Sequence, residues 1–153
     1  MADYYADSSV LVKRHVNETG SGWFRSLADP VSGNVMITAR ISMIEVYSAL
    51  SRRQREATLS ADDYAHITAD FTATCAEYQF VELTPAVVER ARLLLARYPL
   101  RAYDAVQLAS VLLAQETFRA AELPPLTFLA ADGCLLDAAQ AEGLATDNPN
   151  AHP

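Results

Sequence analysis

The feature that most constrains this chain is a series of short apolar segments separated by stretches with helical periodicity. Residues 3–7, 34–38, 80–84, 126–131 and 144–146 read as strands, the last of them as an edge strand. Helices are predicted over 8–16, 23–27, 41–55, 60–78, 86–97 and 101–121, with a turn and helix over 132–142. Ser60-Ala-Asp-Asp63 is a capping box, and Thr84-Pro85 places a capping hydroxyl ahead of a proline at the first helical position. Strands that alternate with helices need crossover connections. The expected fold class is therefore α/β, a three-layer α/β/α sandwich with a central, mostly parallel sheet of four to five strands.

At 153 residues, with 51% hydrophobic and 20% charged residues, the chain suits a single domain over 1–153 with a real core, which excludes a disordered or linker protein. No apolar run is long enough to span a bilayer, and Met1-Ala-Asp-Tyr-Tyr lacks the features of a signal peptide, so a cytoplasmic location is expected. Cys75 and Cys134 have no metal-binding spacing and read as thiols without a zinc site, a disulfide being the lesser alternative. The formal charge of −7 argues against coating nucleic acid by bulk attraction but not against cutting it. Lys13 is the only lysine, so nearly all positive charge is arginine, the side chain suited to bidentate phosphate contacts.

Four acids stand out by position. Asp7 and Asp132 each follow an apolar run and precede a helix, where ligands collect in open α/β sheets; each is also a good helix N-cap. Glu45 is flanked by Ile44 and Val46 and borders the apolar stripe of its helix, where either an arginine partner or a functional role accounts for it. Asp104 opens the most apolar helix; it can be read as part of a capping box with Gln107 or as a core-facing carboxylate that needs compensation. All four are expected on one edge of the sheet. Two carboxylates about 5 Å apart repel by roughly 3 kcal/mol at an effective dielectric of about 20, so such a cluster needs a counter-charge. A hard divalent cation with oxygen ligands, Mg²⁺ or Mn²⁺, is the simplest one. His15, His66 and His152 are isolated in sequence and offer no competing soft-metal site.

The chain resembles the PIN-domain ribonucleases, specifically the VapC-type toxins of toxin-antitoxin pairs. The resemblance rests on Asp7-Ser-Ser-Val-Leu-Val-Lys13, on Ile44-Glu-Val-Tyr-Ser-Ala-Leu-Ser-Arg-Arg53, and on Leu100-Arg-Ala-Tyr-Asp-Ala-Val-Gln-Leu-Ala109. Leu129-Ala-Ala-Asp132 follows, with Gly143-Leu144 and Asn148-Pro149 after it. These pieces span nearly the whole chain in the family's order.

The resemblance implies a PIN-like fold and assigns Asp7, Glu45, Asp104 and Asp132 to a catalytic, metal-binding cluster, with Ser9 orienting carboxylates from behind. Ala130 and Ala131 depart from the family's usual serine or threonine before the last acid, which leaves Asp137 as an alternative to Asp132. The implied activity is Mg²⁺-dependent hydrolysis of RNA phosphodiesters by a metal-activated water, leaving 5′-phosphate and 3′-hydroxyl ends, with one or two ions. Lys13, Arg14, Arg52, Arg53 and Arg101 are candidate phosphate contacts; Trp23, Phe24 and Tyr103 are candidate base-stacking residues, with core packing as their alternative use. Implied partners are an RNA substrate, a second copy of the chain in a homodimer, and a small antitoxin whose basic segment blocks the acidic pocket. Two rival readings are a PIN fold kept for binding without activity, and a phosphoacceptor receiver domain. The second needs a late lysine that this chain lacks.

Overall fold

A computed structural model describes all 153 residues, Met1–Pro153. Five parallel strands form one sheet in the order β3-β2-β1-β4-β5: β1 (Asp3–Ala6), β2 (Val35–Ala39), β3 (Gln79–Val81), β4 (Thr127–Leu129) and β5 (Ala145–Asp147). The helices are α1 (Ser8–Leu11), α2 (Ser21–Ala28), α3 (Ser42–Arg55), α4 (Ala61–Thr74), α5 (Pro85–Arg97), α6 (Ala102–Ala120) and α7 (Gly133–Ala141). No helix is long and apolar enough to cross a membrane.

Side-chain alternation divides the core into two halves. Tyr5, Ile37 and Phe128 face α5, α6 and α7, while Ala6, Met36 and Leu129 face α1 to α4. Burial on both faces is why these strands read as continuous apolar runs. Fully buried side chains such as Phe71, Phe128 and Leu108 each contribute roughly 1.5–3 kcal/mol of burial free energy.

The local signals act as expected at the helix starts. Ser60 Oγ accepts from Asp63 N–H at 3.0 Å, and Thr84 Oγ1 accepts from Val87 N–H at 3.3 Å with Pro85 behind it. The expected boundaries move by one or two residues at most elements, and by more at three. The first helix is one α-turn, followed by a tighter 3₁₀ turn over Val12–Arg14. The fourth ends at Thr74, before another 3₁₀ turn. β3 stops at Val81, because Thr84 is already committed to capping α5. Cys75 is buried, Cys134 is exposed, and both are free thiols.

The strand order fixes where a ligand can sit. From β1 the chain steps outward through β2 and β3, then returns to β4 on the other side of β1, so the order reverses between β1 and β4. In open α/β sheets the crevice at the carboxyl ends of such a pair is the usual binding place. Asp7 follows β1 and Asp132 follows β4, on either side of that crevice. Asp104 reaches the same edge by another route than a strand end. α6 begins there, where Gln107 meets Ser42, and runs back to the opposite edge, where Gln115 accepts from Leu126 N–H ahead of β4.

Candidate active site

Both strand-end acids are helix caps, as their simplest reading required. Asp7 Oδ1 accepts from Val10 N–H at 3.1 Å, and Asp132 Oδ1 accepts from Leu135 N–H at 2.9 Å. Capping uses one oxygen of each and leaves Oδ2 without a hydrogen bond inside the protein. The caps therefore orient these carboxylates rather than consume them.

Ser9 ties the two sides of the crevice together. Its hydroxyl donates to Asp7 Oδ1 at 2.6 Å and accepts from Ala131 N–H at 3.2 Å. The β1–α1 turn is thereby joined to the loop that carries Asp132, and the alanine at 131 serves through its backbone.

Glu45 is held from two directions, with Ser8 Oγ donating to Oε2 at 3.0 Å and Gln107 Nε2 donating to Oε1 at 2.8 Å. Gln107 is the hub of a buried network: its Nε2 also reaches Ser42 Oγ at 2.8 Å, and its Oε1 accepts from the Tyr5 hydroxyl at 2.7 Å. Sequence reasoning did not anticipate Ser8, Ser42, Tyr5 or the role of Gln107. The one available signal was an amide set among Ala105, Val106, Leu108 and Ala109, where a solvated side chain has no place.

The electrostatics of the three inner acids run in one direction. Burial, reinforced by the charges of Glu45 and Asp104, pushes the Asp7 carboxyl up to about 7 against the hydrogen bonds from Ser9 and Val10. Glu45 is raised by burial and by Asp104, with Gln107 and Ser8 opposing. Asp104 is raised by burial and by Asp132; only the Arg101 amide and charge oppose. Asp132 and Asp137 are both exposed, and of the two it is the charge of Asp132 that reaches Asp104. The protein's ion pairs involve other carboxylates, so these acids have no salt-bridge partner.

No three His, Cys, Asp or Glu side chains converge tightly enough to enclose an ion by themselves. The donor set still suits a hard cation: all donors are carboxylate oxygens, and Mg²⁺ typically takes only one or two protein carboxylates and keeps several waters.

A cleft of about 700 Å³ opens onto this site, with Ser8, Ser9, Glu45 and Ala131 among its walls. Arg52, Arg53, Arg101 and Lys13 also line it, but they are not equivalent. Lys13 is buried and donates to Glu18 Oε2 at 3.2 Å and Thr19 O at 2.8 Å; Arg53 pairs with the same Glu18. Arg52 and Arg101 are exposed and make no ion pair. Arg14, expected among the phosphate contacts, lies outside the cleft: its guanidinium donates to Glu77 at 2.8 Å and the Tyr78 hydroxyl at 3.3 Å. Tyr103 and Ile44 stand exposed on the cleft wall, whereas Phe24 is fully buried in the core and Trp23 packs on His152.

Known proteins share the sequence pattern and the fold. The family profile described as "PIN domain" matches residues 4–118. Ribonuclease VapC45 and Ribonuclease VapC49, from two strains of Mycobacterium tuberculosis, are each 34% identical to the chain over 108 residues, covering 71% of it and 74% of their own length. The same fold occurs in M. tuberculosis VapC20, described as a sarcin-ricin loop cleaving toxin, with a TM-score of 0.60 at 18% identity over 93% of this chain and 96% of that one. It occurs also in a toxin-antitoxin complex from Klebsiella pneumoniae, with a TM-score of 0.56 at 13% identity over 95% and 97% of the two chains. Sequence, topology and relatives converge, and the chain belongs to the PIN-domain family, among its VapC-type members.

Proposed function

We propose that this chain is a Mg²⁺-dependent endoribonuclease and the toxin of a toxin-antitoxin pair. The observation that carries this reading is Asp7, a nearly fully buried carboxylate that faces the charges of Glu45 and Asp104 and has no salt-bridge partner of its own. The VapC ribonucleases at 34% identity and the sarcin-ricin loop cleaving toxin of the same fold support RNA as the substrate class.

Asp7, Glu45, Asp104 and Asp132 would hold Mg²⁺, or Mn²⁺ in its place. When bound, the ion supplies acidification of water and neutralisation of charge on a phosphoryl group. The protein's own groups do the rest. Ser9 fixes the rotamer of Asp7, and Ser8 and Gln107 fix that of Glu45, so that neither carboxylate turns away from the crevice. Arg52 and Arg101 are free to take phosphate oxygens on the cleft rim, and Tyr103 presents an aromatic face to an unpaired base. The Ser8 and Ser9 hydroxyls are committed to carboxylates, so neither is placed to attack; water as the nucleophile, with 5′-phosphate and 3′-hydroxyl products, is what membership of the family implies.

The toxin-antitoxin complex with this fold supports an antitoxin partner here, and a cation from that partner entering among the acids would serve as the metal does. A homodimer completes the proposed assembly. The test is cleavage of total, transfer and ribosomal RNA with Mg²⁺, with chelator, and with Asp7→Asn. Cleavage that survives chelation, or full activity in Asp7→Asn, removes the proposal.

A further inference from the structure

The segment after β5 is a rigid hook that ends at the cleft. Its single turn, Pro149–Ala151, is closed by Asn148, whose Oδ1 accepts from Asn150 N–H at 2.9 Å, and by His152 N–H donating to Pro149 O at 3.0 Å. His152 stacks on Trp23 with ring centroids 4.1 Å apart and planes 6° from parallel, while its Nε2 bonds Asp147 Oδ1 at 2.9 Å. Pro149 is buried against Gly20, where a Cβ would lie 2.1 Å from the proline carbonyl oxygen; that close approach, together with a φ of 82°, requires the glycine.

What this hook presents is Asn150. The residue is exposed on the cleft wall that also holds Glu45 and Arg101, and its carboxamide makes no hydrogen bond within the protein. The cap, the stacked ring pair and the glycine contact fix the backbone that carries this amide, so only its two side-chain torsions remain to be ordered on binding. A carboxamide offers a donor and an acceptor side by side, the pattern that matches a base edge carrying the same pair, adenine foremost. A phosphate offers acceptors only, and the exposed arginines of the cleft already suit it.

Resting on the ribonuclease reading above, we propose that Asn150 is a specificity-determining residue that reads one unpaired base of the RNA at the mouth of the cleft. Trp23, His152 and Gly20 are the positioning residues that hold it there.

The experiment is Mg²⁺-supported cleavage of a random-sequence single-stranded oligoribonucleotide pool, with the products sequenced. The wild-type protein is expected to prefer one base at a fixed distance from the cut. Asn150→Ala should reduce that preference roughly tenfold, in line with the loss of one bidentate pair, and leave the pattern at other positions in place. Asn150→Asp replaces the donor by an acceptor and should move the preference toward a base that offers an amino group, such as cytosine. His152→Ala should blur the same position. A wild-type protein that cleaves without base preference overturns the inference. So does an Asn150→Ala protein with the preference intact, or one that is uniformly slower with the preference preserved, since that pattern belongs to a backbone contact. A wild-type protein that cleaves no RNA overturns the ribonuclease reading itself, and this inference with it.

Discussion

Gln107 donates a 2.8 Å hydrogen bond to Glu45 Oε1, across 62 residues of sequence. The same amide accepts from the buried Tyr5 hydroxyl and reaches Ser42, so a side chain of α6 sets the angle of a carboxylate on α3. Gln107→Leu keeps the volume and removes every one of these bonds. Stranding a buried hydroxyl costs about 1–3 kcal/mol, and losing an orienting partner of a ligand costs about 10- to 100-fold in metal affinity or activity. A urea titration and a cleavage assay should show both losses together. Gln107→Glu, which puts a second carboxylate beside Glu45, should be more harmful at pH 8 than at pH 5.

Asp7 gives a pH-dependent prediction with a defined sign. An acid whose pKa is higher in the folded than in the unfolded chain binds more protons when folded, so stability falls as pH rises between the two values. For Asp7 that window runs from 3.8 to about 7, and a rise of that size corresponds to roughly 4 kcal/mol. In chelator, the stability of the wild-type protein relative to Asp7→Asn should therefore decline from pH 4 to pH 7 and level off above it. Mg²⁺ should raise the wild-type melting temperature at pH 8, have little effect at pH 5, and have a much smaller effect at either pH in Asp7→Asn. A stability difference between the two proteins that does not vary with pH would show that Asp7 carries no uncompensated charge.

Ser9→Ala removes the donor to Asp7 and at the same time orphans Ala131 N–H. Cleavage should fall about 10- to 100-fold, since the acid loses its orientation. Ser9→Thr keeps the hydroxyl and should restore most of the rate. If alanine and threonine behave alike in steady-state cleavage, the hydroxyl has no part in setting the site.

The strand-to-helix acids were legible because aspartate after an apolar run is a strong local signal, whatever its final use. Glu45 and Asp104 were legible because a carboxylate among apolar neighbours on a helix is costly without compensation. The network behind them was not, because its bonds join residues as far apart as Tyr5 and Gln107, and nothing local pairs a tyrosine with an amide 102 positions away. The cations show the same limit. Lys13 and Arg14 are neighbours in sequence, yet the 3₁₀ turn sends one into the cleft wall toward Glu18 and the other toward Glu77. The hook carrying Asn150 fell in what reads as a polar tail, because its anchor is Trp23, on the far side of the chain from it in sequence.

That separation of the cations makes the final prediction. Arg52 and Arg101 line the cleft without ion pairs, whereas Arg14 is spent on Glu77 and Tyr78 outside it. With Asp7→Asn as a non-cleaving background, Arg52→Ala and Arg101→Ala should each weaken RNA binding about equally across sequences. Each should also reduce the slope of log affinity against log salt by about one. Arg14→Ala should leave that slope unchanged and act only on stability, by no more than about 1 kcal/mol for a partly exposed pair. Fluorescence anisotropy of a labelled single-stranded RNA over a salt series measures all three. A slope that drops for Arg14→Ala and holds for the other two would place the RNA outside the cleft, against the surface around Glu77.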